Sequence, residues 1–393
     1  MMMTSPHEID LPLPLATASL AATRHFRSLR RLAIHMMLHH DGLICNIILN
    51  HINCGGYGRV MNQHDAVPDW ASGRVFDYPR GWFVVATPES IPASEAVALP
   101  FFGRTLVAFR GADGDVAILD SVCPHMGASL AIGGVVEEGE VRCPFHHWRF
   151  GPDGRCSHIP YSKLIPPQAK VHSYPVREQN GLVLLWFDPE HGAPDYEIPD
   201  LDDYYDQQWV PWAIVRRDIR TVPLEIVDNI ADSAHLGPVH QSWPRVFEVE
   251  FDGHRAIQTQ FASHETLTDI PGGEMKTVAT YHGPSYLLTS IEGRYRSWML
   301  LAHTPIDQSH VAVWYGLMIR SDDGVTPEFQ EIAREYAAAG QVSAYQDVDI
   351  WENKSLSERP ALCRDDGPIL DARRWYTQFL KPRARAETSE ITQ

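Results

Sequence analysis

The sequence predicts an α+β protein of two domains, an all-β domain over about residues 75–190 followed by a domain of antiparallel sheet and helices over about residues 200–385. Three observations predict it. Between residues 80 and 188, short apolar runs alternate with Gly and Asp turns, the pattern of a small β domain. Residues 189–203 gather Pro189, Gly192, Pro194, Pro199 and several Asp into a breaker-rich join. Beyond it, strand-like runs are bracketed by stretches that read as helices. With 393 residues, 44% of them hydrophobic, there is apolar material for two cores.

In the first domain, Thr105–Arg110 and Val116–Leu119 are expected strands on either side of the Gly111-Ala112-Asp113-Gly114 turn, and Gly181–Phe187 is another. In the second, Pro223–Leu236 reads as a helix. Ala256–His264, Met275–His282, Ser285–Thr304 and His310–Arg320 read as antiparallel strands, and Pro327–Ser357 as a long helical stretch. There is no internal repeat and no low-complexity tract.

Composition narrows the function. The net charge of −17, with no stripe of Lys and Arg, argues against a nucleic-acid partner. Six Cys (Cys45, Cys54, Cys123, Cys143, Cys156, Cys363) in so long a chain do not make a disulfide scaffold, which favours a reducing cytoplasm and metal-bound thiolates. Residues 1–60 stand apart: five Arg against three acids (Glu8, Asp10, Asp41) with intermittent apolar runs. That resembles a leader, but no apolar run nears the ~20 residues of a membrane span. Met61-Asn62-Gln63-His64-Asp65 looks like an ordinary start, so residues 1–60 are expected to be a doubtful N-terminal extension.

The chemistry starts at Cys123-Pro124-His125-Met126-Gly127, followed after 17 intervening residues from His125 by Cys143-Pro144-Phe145-His146-His147-Trp148. Each half offers one thiolate and one imidazole. Two Cys and two His also suit tetrahedral zinc, but zinc-finger spacing groups Cys with Cys and His with His. Here Cys-x-His and Cys-x-x-His each pair unlike ligands, which fits a cluster with one iron on Cys123 and Cys143 and the other on His125 and His146; imidazole in place of thiolate raises the reduction potential. His147 reads as a surface residue, Cys156 as a packed thiol and Trp148 as a shield over the cluster loops.

A second group lies in Asp228-Asn229-Ile230-Ala231-Asp232-Ser233-Ala234-His235-Leu236-Gly237-Pro238-Val239-His240. Helical spacing puts Asp228, Asp232 and His235 on one face. His240 would lie about 140° from His235 on an unbroken helix, and Gly237-Pro238 offers the distortion that swings it back. Two imidazoles, one carboxylate and open positions are the usual set for non-haem Fe(II) that activates O₂. Alone, the His pair would read as two surface histidines; beside the Cys/His loops it reads as a metal site.

On these motifs the chain resembles the oxygenase components of the Rieske non-haem iron oxygenases, over about residues 70–380. The resemblance implies a Rieske domain followed by a helix-grip (START-like) catalytic domain, one [2Fe–2S] cluster and one mononuclear Fe(II) per chain. It implies His235 and His240 as iron ligands with a later carboxylate. Gln346-Asp347-Val348-Asp349-Ile350-Trp351 is similar to the segment that holds this third ligand, aligning Asp347 with it and leaving Asp349 as the alternative. It also implies that Asp232 bridges a cluster histidine of a neighbouring subunit to an iron histidine, in a homotrimer. Pro79-Arg80-Gly81-Trp82, Asp153-Gly154-Arg155-Cys156, Asp366-Gly367-Pro368 and Arg373-Arg374-Trp375-Tyr376 are similar to the 3-ketosteroid 9α-hydroxylase and cholesterol 7-desaturase-like branch.

That branch implies a steroid or sterol substrate oxidised with O₂. Leu287, Leu288, Trp298, Met299, Leu300, Leu301, Val313, Trp314, Tyr315, Leu317 and Met318 are available to line an apolar cavity for it. No Gly-x-Gly-x-x-Gly element follows a strand and no plant-type Cys motif is present, so electrons are expected from NAD(P)H through a separate flavin and iron–sulfur reductase. Sterol desaturation, sterol methyl oxidation and aromatic O- or N-demethylation are the rival reactions. A Rieske electron carrier with a lipid-binding second domain is the rival without catalysis.

Overall fold

Alternating apolar residues fold here as antiparallel ladders. In the computed structural model the described residues are 78–380, apart from 264–267, 269–272 and 358, all within the compact unit Met61–Gln393. The extension 1–60 and the outer ends of the two expected domains lie outside the described residues.

The first part contains β1 (Gly81–Ala86), β2 (Val97–Phe101), β3 (Arg104–Arg110), β4 (Val116–Asp120), β5 (Val135–Glu137), β6 (Glu140–Arg142), β7 (Arg149–Phe150), β8 (Cys156–His158), β9 (Ser173–Tyr174), β10 (Val176–Gln179) and β11 (Leu182–Phe187). They form three antiparallel sheets, ordered β1-β11-β10, β2-β3-β4-β9 and β5-β6-β7-β8. The strands expected at 105–110, 116–119 and 181–187 are β3, β4 and β11.

β1 and β11 are buried at every position, because both faces are covered. On one side β1 meets the larger sheet of the second part: Ser285 Oγ donates to the Trp82 carbonyl at 2.8 Å, Thr304 Oγ1 to that of Val84, and the Phe102 N–H to the Pro305 carbonyl at 2.9 Å. The breaker-rich join is packed as well. Tyr196, Ile198 and Leu201 are buried in the same core, and the Trp82 N–H donates to the Tyr196 hydroxyl at 3.1 Å. Prolines here set the path of a seated segment.

The join ends in a turn of helix, α1 (Asp202–Tyr205). The second part then comprises β12 (Trp209–Val210), β13 (Val215–Ile219), α2 (Pro223–Val227), α3 (Leu236–His240), β14 (Pro244–Asp252), β15 (Arg255–Ser263), β16 (Glu274–His282), β17 (Tyr286–Glu292), β18 (Arg296–Pro305), β19 (Val311–Arg320), α4 (Pro327–Ala344), α5 (Val348–Asn353) and α6 (Ile369–Tyr376). Its sheet runs β12-β19-β18-β17-β16-β15-β14, with β13 also against β19. Helix α4, capped by Thr326 Oγ1 on the Phe329 N–H at 3.2 Å, packs on β19.

Three expected elements are divided. Ser285–Thr304 is two strands, β17 and β18, joined by a bend at 293–295. Pro327–Ser357 breaks at a 3₁₀ turn, Tyr345–Asp347. Pro223–Leu236 leaves the α-helix after Val227, through a 3₁₀ turn at Asp228–Ile230 and a non-helical stretch before α3. The cause is polar competition for backbone groups. Asp232 Oδ1 accepts the N–H groups of Ala234 and His235 at 3.0 and 3.2 Å, opening a new helix. The Ser233 N–H turns outward to the Asp366 carbonyl at 3.2 Å.

Candidate functional site

The two Cys/His loops share one backbone design. The Cys123 N–H donates to the Ala128 carbonyl at 2.8 Å and the Gly127 N–H to that of Cys123 at 2.9 Å; the Cys143 N–H donates to Trp148 at 2.8 Å and the His147 N–H to Cys143 at 3.1 Å. The fifth residue of each loop has a left-handed backbone, φ 78° at Gly127 and 62° at His147. Each loop therefore starts at a buried Cys and presents an imidazole two or three residues on. The rings of His125 and His146 are 4.5 Å apart. Trp148 stacks on His125 at 4.5 Å and donates its indole N–H to the Tyr161 hydroxyl at 2.8 Å, so it does shield the loops. Burial, helped by neighbouring Cys143, pushes the Cys123 thiol up to about 11 against the backbone N–H of His125. Cys156 is a buried thiol facing the His158 carbonyl, and His147 is exposed.

His235, His240 and Asp347 each bring a ligand atom within 4.8 Å of the others. His235 precedes α3 and His240 ends it, with ring centroids 5.3 Å apart. Asp347 arrives from the break between α4 and α5, its Oδ2 3.3 Å from His240 Nε2. Hydrogen-bonded neighbours fix two of them. Gln346 Oε1 lies 2.9 Å from His240 Nδ1, and Asn229 Nδ2 donates to Asp347 Oδ2 at 2.9 Å. Asp232 Oδ2 lies 3.6 Å from His235 Nδ1. Burial alone would lower the His240 pKa, but Asp347 and Gln346 outweigh it and raise it. Burial works to raise Asp232, and the His235 side chain and N–H groups bring it below the usual carboxylate range.

Two sequence expectations change and two open ones narrow. Asp228 does not converge with Asp232 and His235: with the helix broken, its buried carboxylate turns to Arg373, accepting from Nε at 3.0 Å and Nη2 at 2.6 Å. Gly237-Pro238 is not the distortion that brings the histidines together; both residues lie inside α3, and the break comes before His235. Asp349 is exposed and outside the triad. Of the eleven residues available to line a cavity, Leu287, Met299, Leu301, Tyr315 and Leu317 do so, while Leu288, Leu300, Trp314 and Met318 face the core shared with β1. Asn229, Gln346 and Arg373 carried no sequence signal of their roles, since each acts on a residue placed by the fold.

The cavity lies between the sheet and the metal-binding segments, with an empty volume of about 1030 Å³ that includes its open mouth. His235, His240 and Asp347 are in its lining, together with mostly apolar residues of β15–β19 and α4. At Gly340 an added Cβ would come within 2.6 Å of the Tyr315 hydroxyl, so glycine lets α4 close on the sheet there.

Comparison with known proteins places this geometry. A Rieske [2Fe–2S] domain matches residues 81–175, and a 3-ketosteroid 9α-hydroxylase C-terminal domain matches residues 185–380. Dicamba monooxygenase shares the fold, with a TM-score of 0.62 at 22% identity over 77% of this chain and 97% of that one. The class is thus a Rieske oxygenase, an iron-dependent monooxygenase. A probable 3-ketosteroid-9-alpha-monooxygenase oxygenase component of Rhodococcus rhodochrous is 35% identical over 77% of this chain and 80% of its own length. The Mycobacterium tuberculosis oxygenase component is 31% identical over 77% and 82%, and a cholesterol 7-desaturase of Ciona intestinalis 28% over 77% and 68%. The chain belongs to the family of these 3-ketosteroid-9-alpha-monooxygenase oxygenase components.

Such enzymes carry a Rieske [2Fe–2S] cluster and a mononuclear iron, and the residues present fit both. The buried Cys123 thiol, with Cys143 beside it, holds its proton unless a metal takes up the charge. Beside it the buried His125 Nδ1 has no hydrogen-bond partner among the described residues. At the second site, two imidazoles and a carboxylate are the donor set of non-haem iron. The loop design gives a prediction at His147. His147→Gly is expected to keep both cluster content and thermal stability. His147→Val, β-branched at a positive φ, is expected to cost about 1–3 kcal/mol and lower the cluster's visible absorbance.

Proposed function

We propose that this chain is the oxygenase component of a monooxygenase that hydroxylates a steroid, in the manner of 3-ketosteroid 9α-hydroxylase, using O₂ and electrons from a separate NAD(P)H-dependent flavin and iron–sulfur reductase. The observation that carries the reading is a largely apolar cavity with the His235, His240 and Asp347 triad in its wall. A cavity of this kind suits a rigid hydrocarbon skeleton held by few polar contacts.

In this reading Cys123, Cys143, His125 and His146 hold the cluster, and His235, His240 and Asp347 hold the mononuclear iron. When bound, the cluster supplies electrons and the iron activates O₂ for attack on an unactivated C–H bond. The protein's part is orientation. Gln346 accepts the Nδ1 proton of His240, leaving its Nε2 lone pair towards Asp347, and Asn229 holds one Asp347 oxygen in place. Apolar walls keep bulk water from the reacting carbon.

The reading extends to the assembly. Met126 and Phe145, beside the two cluster histidines, are 66% and 58% exposed, an apolar rim that a second copy of the chain would cover. Asp232 is the group that we propose meets the neighbouring protomer's cluster edge in a homotrimer. Asp232→Ala should then leave both metals bound while turnover falls about 100-fold or more and substrate-dependent reoxidation of the cluster slows with it. Unchanged turnover, or a single-chain mass in solution, would sink this role.

The substrate test is direct. Anaerobically purified enzyme should show a Rieske spectrum and a nitric oxide signal at the mononuclear iron that changes when steroids are titrated in. Products should gain one oxygen. Loss of two hydrogens would instead favour the desaturase reading suggested by the Ciona relative. Iron that ignores every steroid would move the search to aromatic ethers.

A further inference from the structure

Four polar side chains interrupt the apolar cavity wall: Gln258 and Gln260 of β15, Thr277 of β16 and Thr289 of β17. Strand register groups them. Gln260 pairs with Thr277, Gln258 with Ala279, and Ala279 in turn with Thr289, so the four occupy two alternate rungs, successive on the cavity face, across three adjacent strands. Each is more than nine-tenths buried, at 7%, 7%, 5% and 4% exposure.

Glutamine is seldom buried so deeply, and buried polar atoms are nearly always hydrogen-bonded. Here Gln260 Oε1 and Thr289 Oγ1 have no hydrogen-bond partner among the described residues. Apolar side chains at these positions would line a purely hydrophobic cavity without that penalty. Both unpartnered atoms belong to residues of the wall, where either a cavity water or a polar group of a bound molecule that displaces it supplies the partner.

We infer that the substrate carries a hydroxyl group at the end lying against this wall, and that Gln260 and Thr289 select for it. The inference rests on the steroid reading and narrows it to a hydroxylated skeleton. The donor and acceptor inventory sets the preference. Gln260 Oε1 only accepts, so a hydroxyl satisfies it directly, whereas a ketone pairs with this residue only after the amide turns to present its donating Nε2. Thr289 Oγ1 both donates and accepts, so it tolerates either. A bare hydrocarbon end leaves both unpaired. The expected order of affinity is hydroxyl, then ketone, then hydrogen.

Dissociation constants of the anaerobic holoenzyme test this, using three androstane-type steroids alike but for a hydroxyl, ketone or hydrogen on ring D, and three varied in the same way on ring A. In one series the hydroxyl compound should bind about 10–100-fold more tightly than the hydrogen compound. Gln260→Leu should reduce that preference, and Gln260→Leu with Thr289→Val should abolish it. The ligand-free variants should unfold at the same or a higher temperature, because each change removes an unpaired buried oxygen. Flat affinities across both series, a preference that survives the double change, or a lowered unfolding temperature in both Gln260→Leu and the double variant would each overturn the inference. Failure of all six steroids to bind would overturn the steroid reading itself; binding without discrimination would overturn the hydroxyl selection alone.

Discussion

Asp347→Ala is expected to lose about one iron per chain, leaving that of the [2Fe–2S] cluster, and to abolish turnover while the Rieske spectrum stays intact. The loss should be on the order of 10³-fold or more, because a catalytic metal contributes several kcal/mol at ~1.4 kcal/mol per factor of ten. Asp347 is buried beside His240 Nε2 and held by Asn229, and no other acid joins the group among the described residues. Asp349→Ala is the matching control. Its exposed side chain lies two residues away on the first turn of α5, and the variant should keep its iron and its rate. Iron analysis with the nitric oxide signal checks both, and the reverse pattern would hand the ligand role to Asp349.

Arg373→Met is expected to destabilise the protein by about 3–5 kcal/mol, a fall in Tm of roughly 10 °C. Arg373 and Asp228 form a buried pair, 7% and 5% exposed, and Arg373 Nη1 also donates to the Ser357 carbonyl at 2.7 Å. Burial pushes the Asp228 carboxyl up while the guanidinium works against it. Removing the cation alone therefore strands a carboxylate, or its protonated form, away from water. The double change Asp228→Leu with Arg373→Met should recover most of the loss, since an apolar pair of similar volume avoids both desolvation penalties. Because Asp228 starts the turn that carries Asn229, the single variant should also retain mononuclear iron less well than cluster iron. Thermal unfolding of the two singles and the double gives the coupling; additive losses would mean that the pair is not a unit.

The cluster loops were legible because their chemistry is local. Cys123 with His125, and Cys143 with His146, sit within one turn of chain whose backbone hydrogen bonds close on themselves. Residue type and spacing therefore carry the arrangement. The period-two runs likewise placed β3, β4, β11, β15, β16 and β19 to within a residue or two, since alternation of burial follows from strand geometry. Helices were less legible where polar side chains bid for backbone groups. Asp232 holds the N–H groups of Ala234 and His235 in a non-helical stretch that periodicity alone would have carried as helix through to Leu236.

Spacing by itself determined the pairing of unlike ligand types in the two Cys/His loops and the antiparallel character of both parts, because these depend on residues a few positions apart; the His235 and His240 pair took its meaning only from those loops. Tertiary structure alone decided the rest. It placed Asp347 against His240 across 107 positions of chain and turned Asp228 away to Arg373 across 145. It also chose, through strand register, which face of β15–β19 lines the cavity. A one-residue slip would have put Leu288 and Trp314 in the wall instead of Thr289 and Tyr315, because successive side chains of a strand point to opposite sides. Composition is unchanged by such a slip, so only the packed sheet could settle which polar groups a ligand meets.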